Sequence, residues 1–270
     1  MTLLDAEQIR APIPQESRER LELLEVFAEI DSTNSHLLNQ PAPQPGRFRV
    51  ALAEHQTAGR GRRDKRWHSA GSSGLCLSMA YTFASPRLDL SAVTLAAGVG
   101  IAGALELQGT TGIGLKWPND LVVRNGKLGG ILTEVRRRPG GQATIVVGVG
   151  INIDLGGSGK TQNLSSSIGQ VSDLASCGVK ILSRSALSAA LIEKLFDTLV
   201  EFEASGFAVF ADAYDRHDWL KGRTISVDMS DGPVDGLSEG VDLDGALIIR
   251  TDAGLQRILS GSVRLPARGH

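Results

Sequence analysis

Cysteine is almost missing from this 270-residue chain: Cys76 and Cys177 are the two present, and neither sits in a Cys-x-x-Cys or Cys/His spacing. That argues against a disulfide framework and against structural zinc, and makes a reducing cytoplasm the expected compartment. Aromatic residues are scarce, at 4%, too few for a platform on which nucleic-acid bases would stack. An excess of one charge is lacking too. Lys and Arg (28) nearly balance Asp and Glu (30), for a net charge of −2, so no global field draws the chain to DNA, RNA or an anionic membrane. No long apolar run occurs either. The longest weakly polar stretch, residues 93–105, falls well short of the roughly 20 residues needed to span a bilayer. The acidic, interrupted N-terminus does not look like a signal peptide.

What is there suffices for a full core: 41% of residues are hydrophobic, and the length fits one large domain and a small one. Pro12 and Pro14 precede SRERLELLEVF, whose leucines and alternating charges predict one amphipathic helix beginning near Pro14, within an N-terminal extension of residues 1–25. Residues 26–219 mix β-rich runs (49–53, 75–81, 114–117, 131–135 and 144–153) with helical ones, of which 93–107 and 185–203 are clearest. The expected fold class is α/β or α+β, a mixed β-sheet flanked by helices. From residue 220 to 270 short β segments (224–229, 234–241, 246–250 and 256–260) alternate with Asp-Gly turns at Asp231-Gly232 and Asp244-Gly245, the pattern of a small SH3-like β-barrel. The Gly/Ser/Asn-rich stretch 153–167 reads as a long mobile loop.

Two glycine patterns mislead. Gly98, Gly100 and Gly103 satisfy GxGxxG but lie inside a helical run and do not follow a strand, so close helix packing explains them better than a dinucleotide site. Residues 156–161 end like a phosphate-binding loop in Gly159-Lys160-Thr161, but Asp154 stands where its first glycine belongs; a flexible lid fits better.

Five cations do concentrate in seven positions, in Glu54-His55-Gln56-Thr57-Ala58-Gly59-Arg60-Gly61-Arg62-Arg63-Asp64-Lys65-Arg66-Trp67. The interleaved glycines allow close backbone approach, and arginine forks suit carboxylate or phosphate; a solvated basic loop or a nucleic-acid patch is the plainer alternative. Lys116-Trp117-Pro118-Asn119-Asp120 offers a cation, a ring and polar groups suited to a nucleotide, or only a capped turn. Lys127 opens the glycine-relieved strand GKLGGIL. Ser32, Thr33 and Asn34 of DSTN are equally good helix caps and ring-binding groups, and Asn152 ends the strand GVGINI.

The ordered series DSTN, EHQTAGRGRR, KWPND, GKLGGIL and GVGINI closely resembles the catalytic domain of biotin protein ligases. It covers residues 30–153, and GVDLDGALII with the late SGSV resembles that family's small C-terminal barrel. The resemblance implies an enzyme that uses biotin and ATP with Mg2+ to form biotinyl-5'-AMP, then transfers biotin to a lysine of a biotin carboxyl carrier protein. It implies that Ser32, Thr33, Asn34 and Gln56 bind the biotin head group and that Arg60, Gly61 and Arg62 cover the carboxylate and phosphate. Lys127 attends the reacting oxygens; Lys116, Asn119 and Asn152, with Arg62 and Lys127, line the nucleotide side. Arg60, Arg62 and Lys127 are the implied catalytic residues, and no metal ligands are assigned.

Three departures stand out. Asp64 places a carboxylate where the family commonly has glycine; the loop after Asn152 contains no tryptophan, which some relatives use to cover adenine; and the DNA-binding winged-helix domain of bifunctional members is missing, which predicts no DNA partner. A homodimer is compatible with the sequence. The competing readings are a lipoate or octanoate protein ligase, a non-enzymatic nucleic-acid-binding module, and a biotin sensor without turnover.

Overall fold

The computed structural model describes residues 3–63, 65–68, 71–85, 90–137, 142–156, 170–179, 181, 183–229 and 232–266. Asp64, most of the expected lid (157–167, with Lys160 and Thr161) and Asp231 lie outside them.

The chain opens with two short helices, α1 (Ala6–Arg10) and α2 (Gln15–Arg20), and then enters strand β1 (Leu21–Ile30). The single helix expected through SRERLELLEVF is therefore corrected: it stops at Arg20. The leucines of LELLEVF suit either state, and pairing decides. β1 lies parallel to β2 (Phe48–Gln56), with Leu24 opposite Val50 and Val26 opposite Leu52, so the backbone groups are satisfied by a neighbour and the local helical preference loses. Helix α3 (Thr33–Asn39) joins these strands. Next come β3 (Gly74–Thr82), α4 (Val93–Leu107), β4 (Gly114–Lys116), β5 (Asp120–Val123), β6 (Gly126–Arg137), β7 (Ala143–Asn152), α5 (Arg184–Ser205) and α6 (Ala211–His217).

Seven strands form one sheet in the order β1-β2-β3-β7-β6-β5-β4, antiparallel in every pair except β1 with β2. Side chains alternate faces along a strand, and here the two faces differ in size. Leu75, Leu77, Met79 and Tyr81 of β3 and Ile145, Val147, Val149 and Ile151 of β7 join the main core with Ile101, Leu105, Leu195 and Leu199 of α4 and α5. The opposite face carries Cys76, Ser78, Gly148 and Gly150 over part of its length, and farther along Ala51, Ala80 and Val146 pack under Leu37 of α3. Small residues beside a packed helix leave a hollow. The GxGxxG run is indeed inside α4; a Cβ on Gly100 would stand 2.2 Å from Thr198 Oγ1 of α5, so the glycine serves helix contact.

A second sheet holds β8 (Thr224–Met229), β9 (Gly232–Val241), β10 (Leu247–Thr251), β11 (Gly254–Ile258) and β12 (Ser262–Arg264), antiparallel and ordered β11-β10-β9-β8-β12. It abuts the first sheet through the KWPND turn. Lys116 Nζ donates to Val263 O at 2.9 Å, and Trp117 Nε1 donates to Gly245 O at 3.0 Å.

Candidate active site

The hollow on the small-residue face is a cavity of about 320 Å3, within the range of small-molecule sites. Every residue the sequence nominated reaches it: Ser32, Thr33, Asn34 and Gln56; Arg60, Gly61 and Arg62; Lys116, Asn119, Lys127 and Asn152.

One end is polar and uncharged. Ser32 caps α3 and turns Thr33 and Asn34 into the hollow, all three buried. Gln56 Oε1 accepts the Thr33 N–H at 2.9 Å; Thr33 Oγ1 lies 2.7 Å from Ser78 Oγ, which donates to Asn34 Oδ1 at 2.6 Å. The Thr33 hydroxyl also lies 3.1 Å from Gln56 Oε1, so its single proton is shared between Gln56 and Ser78, and Ser78 passes its own proton on to Asn34. The DSTN segment is thus cap and lining at once. Gly148 makes this possible: a Cβ there would stand 2.2 Å from Asn34 Oδ1.

The other end is cationic. Lys127 Nζ contacts Asp120 Oδ1 at 2.6 Å, and Lys116 Nζ lies 3.7 Å from Asp120 Oδ2. Burial, with Lys127 and Lys65 nearby, lowers the Lys116 pKa to about 8 although Asp120 opposes the shift. Asn119 Nδ2 is held by Ile131 O at 2.9 Å, and Asn152 Nδ2 by Ser172 O at 3.1 Å and Lys127 O at 3.4 Å. These two amides fix the strands that carry Lys127.

Between the ends lies the basic loop. Gly61 N–H bonds Lys65 O at 2.7 Å and Trp67 N–H bonds Gly59 O at 2.9 Å, folding the segment back on itself. The Trp67 indole then lies on Gly150, where a Cβ would stand 2.3 Å from the ring. Arg62 is partly buried; desolvation and the neighbouring Arg63 lower its pKa, and Asp120 raises it. An anion placed beside it would recover what burial costs. Arg60 forks onto Glu134, at 2.8 and 3.1 Å.

Sequence reasoning missed Ser78, Asp120's place between two lysines, the wall formed by Trp67, and the lining from Gly261, Ser262 and Val263 of the second sheet. Ser78 had a signal, a polar residue inside the apolar run LCLSMA. Glu134 had none. Cys76 is buried in the cavity wall, Cys177 is partly exposed, and His55 pairs with Glu29 at 3.0 Å.

Fold and site together define a small-molecule enzyme pocket in which a neutral hydrogen-bonding slot opens onto a group of desolvated cations. Comparison with known proteins agrees. Residues 26–152 match the biotin/lipoate A/B protein ligase family, and residues 222–265 match the biotin protein ligase C terminal domain. The chain is 31% identical over 263 residues to the bifunctional ligase/repressor BirA of Escherichia coli, covering 97% of this chain and 78% of that one. It is 30% identical to the biotin--[acetyl-CoA-carboxylase] ligase of Mycobacterium tuberculosis, covering 92% and 93%. A biotin protein ligase from Aquifex aeolicus, solved in complex with biotin and ATP, has the same fold, with a TM-score of 0.70 at 24% identity over 91% of this chain and 97% of that one. The chain belongs to the biotin protein ligase family.

Proposed function

We propose that the protein activates biotin with ATP and transfers it to a lysine of a biotin carboxyl carrier protein, through the cavity described above. The observation that carries this reading is the convergence of the nominated residues on one hollow with a neutral and a cationic end. In the first step the biotin carboxylate attacks the α-phosphorus of ATP and pyrophosphate leaves. In the second the neutral carrier amine attacks the acyl carbon of biotinyl-5'-AMP, AMP leaves, and the amine gives up a proton.

Ser32, Thr33, Asn34 and Gln56 hold the ring. A cyclic urea offers two N–H donors and one carbonyl acceptor, and this hydroxyl-amide chain supplies partners of both kinds. Arg60, Gly61 and Arg62 form the loop over the carboxylate and phosphate. Negative charge gathers on the phosphoryl oxygens during the first step, so Arg62 and Lys127, the latter already held by Asp120, bind the transition state more tightly than the ground state. Lys116, Asn119 and Asn152 line the nucleotide side. Mg2+ comes as the counter-ion of ATP; among the described residues the lining offers it one carboxylate, Asp120, which matches the usual habit of this ion of taking phosphates and few protein ligands. The low cysteine count, two in 270 residues, fits a cytoplasmic setting.

Pyrophosphate release with Mg2+, ATP and either biotin or lipoate tests the assignment. Release with biotin and label transfer to a carrier domain are expected, with lipoate giving background. Release with lipoate alone would move the protein to the lipoate ligases, and release with neither would end the ligase reading.

A further inference from the structure

We propose that Glu134 is a positioning residue that ties the basic loop to the ring-binding slot, so that both are set by one carboxylate. The inference deepens the biotin-ligase reading and rests on it. Glu134 belongs to none of the sequence motifs. It lies in β6 opposite Val146, and its side chain meets two residues that line the hollow, Asn34 and Arg60.

Three bonds converge on it. Arg60 Nη2 donates to Oε1 at 2.8 Å, Arg60 Nη1 donates to Oε2 at 3.1 Å, and Asn34 Nδ2 donates to Oε2 at 3.0 Å. An ionised carboxylate can only accept, and so can Leu132 O, the second partner of Asn34 Nδ2 at 3.2 Å. Both therefore fix which way the Asn34 amide points. Its nitrogen faces β6, and its oxygen faces Ser78 and the cavity, where it presents an acceptor to a ligand N–H. A flipped amide would present donors where a ring N–H needs an acceptor.

The same carboxylate anchors the start of the loop. Two parallel bonds from one guanidinium set its plane as well as its position, and Gly61–Lys65 and Gly59–Trp67 backbone bonds carry that constraint to Trp67. Arg60 is neutralised by Glu134, so the loop's attraction for the ligand's negative charge comes from Arg62, while Arg60 works as the tether. Ring slot and loop then share one fixed point.

The test uses E134Q in the full-length protein, an almost isosteric change that removes the charge. Trypsin cleavage within residues 60–66 of the ligand-free protein should speed up about 10-fold, and KM for biotin should rise about 10-fold, the scale of one charge-assisted hydrogen bond. KM for ATP should stay within about two-fold. E134D, which keeps the charge, should recover part of the loss, and R60Q/E134Q should be no worse for biotin than R60Q alone. Unchanged cleavage and unchanged biotin KM, additive losses in the double variant, or an equal rise in both KM values would overturn the proposal. Should wild-type protein release no pyrophosphate with biotin, the ligase reading fails by itself, and the cleavage arm still decides whether Glu134 holds the loop.

Discussion

Lys116 shows what burial does to a single side chain. It is 2% exposed, and its pKa falls to about 8 chiefly through desolvation. Below pH 8 it is charged in the folded and unfolded chain alike, and the cost of burying that charge is fully present. Between pH 8 and the ordinary lysine value near 10.5 the unfolded chain binds the extra proton, so this residue's contribution to stability improves as pH rises. Activity should move the opposite way. If the ammonium attends the phosphates, kcat/KM for ATP falls as pH passes about 8, with one proton lost; a profile flat from pH 7 to 9 would remove Lys116 from the nucleotide side. The residues nominated from sequence were legible because each recurs in a local motif. Glu134 and Val263 were not, because what brings them to the cavity is strand register and the contact between two sheets.

At the scale of the element, β7 acts as a ruler. Its residues facing the hollow are Gly148 against Asn34, Gly150 against Trp67, and Asn152 beside Lys127 and Ser172. With a rise of about 3.3 Å per residue, neutral slot and cationic end lie about 13 Å apart. Glycine at the first two places is a matter of volume. Gly150→Ala would drive a methyl into the Trp67 ring, and overpacking of this kind costs roughly 1–3 kcal/mol. The expected result is biotin binding weakened about 10-fold or more, read by titration calorimetry together with a shift in tryptophan emission. Wild-type affinity would mean that Trp67 is not a wall of the site. Helices α4 and α5 and the strands β2, β3 and β7 could be read from apolar periodicity and composition. β1 could not, because its leucines fit a helix until β2 is there to pair with it. The short strands β5 and β12, at four and three residues, are too brief to show any period.

For the whole molecule, the net charge of −2 hides a strongly uneven distribution. Arg62, Lys65, Arg66, Lys116 and Lys127 all line one cavity, where low-dielectric walls focus their field on an anionic ligand. The second sheet takes part by holding Lys116 through Val263 O and by supplying Gly261 and Ser262 to the lining. Short β segments with Asp-Gly turns made the second sheet legible in the sequence, but not that it meets the first at the site. Among the described residues no helix is long and apolar enough to cross a membrane.

The central claim is that fixed cations in this cavity drive formation of biotinyl-5'-AMP. The most direct measurement is single-turnover adenylation, comparing wild-type protein with Lys127→Met and Arg62→Ala at saturating biotin and ATP. Loss of a pre-organised charge at the reacting phosphate should slow pyrophosphate formation about 10²-fold or more in each variant. Near-wild-type rates in both would contradict the account.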